Sequence, residues 1–206
     1  MGTTFNVGVI GAGRMGKIHI ENIIHNVPGL NLKVVADISI DDDMKDWAEK
    51  VGVPQLIPNS DDIFNDPEID AVVIASSTNT HVEFIQKAAQ LKKDVFCEKP
   101  IDTDLKKIKK TLEIVKNEGI KLMIGFNRRF DKNFKRVRDL VSSGQIGTPQ
   151  IVKVTARDPT LASIEYLKSS GGMFFDMTIH DWDMVRFQTG CEVEEVYAAG
   201  AALVDP

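Results

Sequence analysis

The run Gly11-Ala12-Gly13-Arg14-Met15-Gly16 constrains this chain more than any other feature, because its three glycines stand between a Val/Ile-rich segment, Phe5–Ile10, and a helical pattern over 17–26. In that setting Gly11 permits a tight turn, Gly13 lets the backbone approach a pyrophosphate, and Gly16 lets helix and strand pack closely, while the helix N-terminus offers unpaired N–H groups to an anion. Ala12, Arg14 and Met15 complete the turn. Asp37 follows the last glycine by 21 residues, at the end of the second apolar segment. A carboxylate there accepts hydrogen bonds from adenosine ribose hydroxyls and repels a 2′-phosphate, so it selects NAD over NADP. Neither Arg nor Lys occurs between Ile38 and Met44 to accommodate the phosphorylated cofactor.

The same rhythm continues along the chain. Short apolar runs at 5–10, 32–36, 71–75, 94–97 and 121–124 alternate with helical patterns at 17–26, 43–51, 79–91 and 105–118. Runs that are apolar throughout indicate strands buried on both faces, as in a parallel sheet covered by helices. A short strand at 55–57 and a one- or two-turn helix from Ser60 fill the third unit. The helix over 105–118 carries Leu105, Ile108, Leu112 and Val115 as an apolar stripe and a solvated basic side of Lys106, Lys107, Lys109 and Lys110, and it ends on Gly119. The net charge of −5 argues against a nucleic-acid partner. No apolar stretch approaches the roughly 20 residues that span a bilayer, so no membrane partner is expected. The N-terminus lacks both a secretory pattern and the Ser or Thr at position 6 of a myristoylation signal. A cytoplasmic location with Cys97 and Cys191 reduced follows.

Further candidates sit where strands hand over to helices. Ser76, Ser77, Thr78, Asn79 and His81 follow the fourth strand, on the edge where doubly wound sheets bind ligands. Thr78 or Asn79 can serve as N-cap, a role compatible with cofactor contact, and His81 is read as a locally hydrogen-bonded structural residue. Glu98-Lys99-Pro100 follows the fifth strand at the same edge, where a lysine can reach a bound substrate. After a helix over 131–141, Gly144, Gly147 and Pro149 mark a change of character and a domain boundary. Ile151–Arg157 alternates as a strand with unlike faces, Val193–Val204 also reads as extended, and a helix is expected over 173–188. On that helix Asp176, His180 and Asp183 share one face, with Asp181 and Trp182 opposite. An Asp-x-x-x-His pair also has metal-ligand spacing, but no third ligand is evident, and no metal is expected. The chemistry read from it is acid-base, with a neutral imidazole taking a hydroxyl proton and a carboxylate orienting it.

Taken in order, Gly11 to Gly16, Glu98-Lys99-Pro100, Gly125-Phe126-Asn127-Arg128-Arg129-Phe130-Asp131, Arg157-Asp158-Pro159 and Gly171-Gly172 through Asp183 resemble the glucose-fructose oxidoreductase / inositol dehydrogenase (Gfo/Idh/MocA) family, most closely its myo-inositol 2-dehydrogenase branch. The resemblance implies an α/β protein: an NAD-binding Rossmann domain with a doubly wound parallel sheet over 1–125, then over 126–206 the beginning of an α+β substrate and oligomerisation domain with an open, mainly antiparallel sheet. It implies NAD-dependent oxidation of a secondary hydroxyl of a cyclitol, with Lys99, Asp176 and His180 as the catalytic group. Cofactor contacts fall to Gly11 through Gly16, Asp37, Ser76, Thr78, Asn79 and Glu98. Arg129, Arg157 and Asp158 would hold further hydroxyls of a small polyhydroxylated substrate. Complete members are longer, so the chain reads as truncated at its C-terminus, and a homo-oligomer is expected of the full-length form. The alternatives are a truncated, non-catalytic NAD-binding relative, or the same chemistry on another sugar, polyol or diol.

Overall fold

The computed structural model describes residues 4–157, 160, 163–164, 167 and 170–201, in two compact units, 1–125 and 126–206. The first contains β1 (Phe5–Ile10), α1 (Arg14–His25), β2 (Leu30–Ala36), α2 (Asp42–Val51), β3 (Leu56–Ile57), α3 (Asp61–Asn65), β4 (Ala71–Ile74), α4 (Thr78–Gln90), β5 (Asp94–Cys97), α5 (Leu105–Glu118) and β6 (Leu122–Ile124). Its strands form one sheet of six in the order β3-β2-β1-β4-β5-β6, and every neighbouring pair is parallel. The order reverses between β1 and β4, which makes the sheet doubly wound and opens a crevice at their carboxyl ends.

Each face of the sheet has its own core. Val7, Val9, Leu32 and Val35 pack with Ile20 and Ile23 of α1, and Trp47 of α2 closes over them. Ile10, Val34, Val72 and Ile74 pack with Ile63 and Phe64 of α3 and with Ile85 and Ala88 of α4. Such burial on both faces is why these strands are apolar throughout. Local chemistry sets the helix ends. Asp41 and Asp104 accept from first-turn N–H groups of α2 and α5, and Gly52 and Gly119 end the same helices in the left-handed conformation, at φ +87° and +72°. On α5 the buried stripe is Thr111 and Val115 rather than the expected leucines: Leu105 is 66% and Leu112 45% exposed. A shift of about one position in phase turns the side of the helix that meets α4, and spacing alone did not distinguish these stripes.

The second unit holds a one-turn 3-10 helix (Asn127–Phe130), α6 (Lys132–Ser142), α7 (Gly172–Asp176) and α8 (Ile179–Thr189). Asp131 starts α6 by accepting from the N–H groups of Asn133 and Phe134. Three expectations fail here. Ile151–Arg157 and the described part of Val193–Val204 are not strands, since a strand is defined by its ladder and neither segment finds one among the described residues. The helix expected over 173–188 is broken at Met177 and Thr178, where the N–H groups of both bond to Met173 O. The Gly144–Pro149 cluster lies inside the second unit and is not its boundary. The expected antiparallel sheet therefore contributes no strand among the described residues.

Phe64, 1% exposed and the largest fully buried side chain of the first unit, gives the direct test of this packing. Phe64→Ala should lower stability by about 3–5 kcal/mol, measured by urea denaturation followed by circular dichroism.

Candidate functional site

In the first unit the candidate residues collect at the carboxyl ends of the strands. Gly11 leaves β1 at φ +94°, and a Cβ there would stand 2.6 Å from Ser76 N. A Cβ on Gly16 would fall 1.9 Å from the Gly11 carbonyl oxygen, so both positions accept glycine alone. At Gly13 a Cβ would meet nothing within 4 Å. That open backbone leads directly into α1, whose first turn carries no acidic residue. Arg14 is exposed beside it. An N-terminus with free N–H groups, a positive partial charge and an open approach is the form that a pyrophosphate requires, so the residues fit a dinucleotide.

Asp37 stands one residue beyond β2. Its Oδ2 accepts from the Ala12 N–H at 2.7 Å and its Oδ1 from the Ser39 N–H at 2.9 Å. The carboxylate thus fixes the glycine turn while each oxygen keeps acceptor capacity for a ribose diol. Beyond β4, Ser77 is the N-cap of α4, so Thr78 and Asn79 are the first helical residues rather than the cap. Thr80 Oγ1 donates to Ser77 O at 2.8 Å and lies 2.7 Å from Ser76 Oγ. Its one proton is committed, so Ser76 is the donor of that second bond and presents lone pairs to whatever binds above it. His81 is 1% exposed, with Nδ1 2.7 Å from Pro100 O and Nε2 3.0 Å from Ser76 O. It ties the turn after β4 to the segment after β5, which is a structural role.

Glu98 and Lys99 follow β5, and the Lys99-Pro100 peptide is cis. Glu98 is 9% exposed, Lys99 half-buried. The preceding Cys97 thiol is pushed far above its ordinary pKa by burial, and further by the Glu98 carboxylate, so it is no nucleophile. Sequence reading missed the partner of Glu98: His19 Nε2 of α1, 2.7 Å from Glu98 Oε1. A signal existed, since His19 lies three residues past Gly16 and beside the buried stripe of α1, on the side that meets the sheet.

The second unit presents Asp176 at the end of α7 and His180 at the second position of α8, both half-buried. The break between them means that Asp176 is not on the helix of His180 and Asp183. The His180 ring meets Phe126 edge to face at 6.5 Å and 87°. Asp183, 6% exposed, takes a forked pair from Arg129 (Nε at 2.9 and 3.0 Å, Nη2 at 2.6 Å). Arg129 also lies 5.3 Å from the Phe187 ring, and the Asp183 hydrogen bonds raise its pKa further. Its Nε and Nη2 are therefore taken up by Asp183. Arg128 donates to Asp181 at 2.6 Å. Arg157 is exposed, and Asp158 lies outside the described residues.

A doubly wound sheet with an open glycine turn at a helix N-terminus and a carboxylate just past its second strand has the form of a dinucleotide-binding protein. The chain belongs to the Gfo/Idh/MocA oxidoreductases: residues 5–126 match the oxidoreductase family with an NAD-binding Rossmann fold, and residues 134–206 match the GFO/IDH/MocA C-terminal domain. It is 45% identical to the uncharacterized oxidoreductase YrbE of Bacillus subtilis over 97% of this chain and 58% of that one. To the myo-inositol 2-dehydrogenase of Thermotoga maritima it is 44% identical, over 97% of this chain and 59% of the relative. The crystal structure of scyllo-inositol dehydrogenase from Lactobacillus casei with bound NAD(H) and scyllo-inositol superposes with a TM-score of 0.88 at 34% identity, over 99% of this chain and 62% of that one. The chain thus spans about three-fifths of the length of these relatives.

Two measurements probe this geometry. Asp37→Ala removes the acceptor for both the Ala12 N–H and a ribose diol, and it should weaken NAD⁺ about tenfold while narrowing the preference over NADP⁺, by calorimetry with both nucleotides. In the second unit, Arg129→Ala should destabilise by about 2 kcal/mol, and by more than Asp183→Ala. The first strands a buried carboxylate, whereas the second strands a guanidinium whose side chain is 40% exposed. Paired thermal melts decide the order.

Proposed function

We propose that this chain oxidises a secondary hydroxyl of a cyclitol with NAD⁺, and that the substrate is myo-inositol, converted to the 2-keto product. The observation that carries the cofactor half is the Asp37 carboxylate bonded to Ala12 N–H inside the glycine turn. The substrate half rests on similarity to inositol dehydrogenases, one of them 44% identical. The reaction is placed in the cytoplasm.

The doubly wound sheet repeats one mononucleotide unit twice, β1-β2-β3 and then β4-β5-β6. Asp37 is the first residue past the second strand of the first repeat, and Glu98 the first past the second strand of the other. By this pseudo-symmetry Asp37 serves the adenosine ribose and Glu98 the nicotinamide ribose. Ser76, Thr78 and Asn79 line the step between them. When bound, NAD⁺ supplies the hydride acceptor. His180, its ring edge to face with Phe126, takes the hydroxyl proton as general base. Lys99 stabilises the developing alkoxide, Asp176 orients the imidazole, and Arg157 and Asp158 hold further hydroxyls. Several such contacts are needed because cyclitol isomers differ only in which hydroxyls find partners.

NADH formation by the purified chain with myo-inositol, against scyllo-inositol and glucose, tests the reading, and a preference for myo-inositol is expected. His180→Ala should lower kcat by at least about a hundredfold. Full turnover by that variant would remove His180 from the base role. Cofactor binding without turnover on any polyol would favour a non-catalytic NAD-binding protein.

A further inference from the structure

Glu98 is held from two sides within the first unit. The Nε2 atom of His19 lies 2.7 Å from Oε1, and because a carboxylate oxygen accepts, the imidazole N–H donates. The His19 ring is itself seated edge-on against Phe96, the residue two before Glu98, at 5.0 Å and 64°. From the other side, a Cβ at Gly125 would stand 3.0 Å from Oε1 and 3.1 Å from Oε2, so only glycine leaves the carboxylate where it is without forcing it aside. The Glu98 side chain is 12% exposed, His19 23%. Two unrelated segments, the second turn of α1 and the residue after β6, are thus shaped around one carboxylate.

We propose that His19 is a positioning residue for the nicotinamide half of the dinucleotide site: its hydrogen bond occupies Oε1 and, against the wall at Gly125, aims the remaining acceptor capacity of Glu98 at the second ribose. The inference rests on the dinucleotide reading above. It makes α1 serve both ends of the cofactor, with its N-terminus on the pyrophosphate and its next turn on the acceptor for the ribose beyond. In the adenosine half the equivalent task falls to a backbone group, the Ala12 N–H on Asp37. At Glu98 the side chain is one carbon longer, and a side-chain donor from the helix takes over.

Calorimetric titration of the purified chain with ADP-ribose, which contains the second ribose, and with ADP, which lacks it, isolates the contact without depending on turnover. His19→Ala should weaken ADP-ribose about tenfold and leave ADP unchanged. His19→Gln, whose amide nitrogen reaches nearly as far as Nε2, should restore most of the loss. Gly125→Ala, which pushes on the carboxylate from the opposite wall, should reproduce the selective loss. Equal weakening of ADP and ADP-ribose, unchanged ADP-ribose affinity in His19→Ala, or a Gln variant as impaired as the Ala variant would overturn the proposal. Binding of neither ADP-ribose nor NADH by the unaltered chain would instead overturn the dinucleotide reading beneath it.

Discussion

The approach of Gly16 to the Gly11 carbonyl is the contact on which the rest of the first unit depends. It allows α1 to start almost on top of β1, and this places the helix N-terminus at the point where the strand order reverses. Had either residue a side chain, the helix would have to lift from the sheet. The N–H groups would then point away from the crevice, and Ile20 and Ile23 would lose the strands they pack against. One backbone approach therefore links the core of one sheet face to the chemistry at its edge.

Around that approach, buried and half-buried polar groups form a second layer of constraint. Asp37 is fixed by Ala12 and Ser39, His81 spans the carbonyls of Ser76 and Pro100, and Glu98 is gripped by His19. Three of these bonds, Ala12 to Asp37, His81 to Pro100 and His19 to Glu98, join segments that leave different strands. A buried polar group without a partner costs roughly 1–3 kcal/mol, so these pairings resist rearrangement and keep the turns in register with one another.

The second unit follows another logic. Its described helices are joined by charged side chains, Arg128 to Asp181 and Arg129 to Asp183, with Phe187 beneath the second guanidinium. The carboxylate that shares a helix with His180 is thereby a structural anchor, while Asp176, from the helix before the break, remains the acid proposed to act with that histidine. The same spacing that suggests a single acidic face thus divides into two tasks.

Much of the first unit was legible from the chain alone. Strand and helix periods and the glycine that ends the helix over 105–118 are local patterns. Local sterics and burial on two faces enforce them, so Phe5–Ile10, Asp94–Cys97 and Leu105–Glu118 take the bounds that the sequence indicates. The glycine turn with Asp37 is equally local in logic, because its partner strand is adjacent. The break at Met177 was not legible, since a helical spacing of charges persists across it. Neither was the missing ladder at Ile151–Arg157, because a strand needs a neighbour that alternation does not supply. Least legible were the long pairings: His19 with Glu98 across 79 residues and Arg129 with Asp183 across 54. The sequence by itself determined the elements and the pyrophosphate turn, because those follow from short-range geometry. Only the tertiary structure decided which side chains hold the carboxylates at the edge, because a hydrogen-bond partner is chosen by the path of the chain in space and not by its spacing.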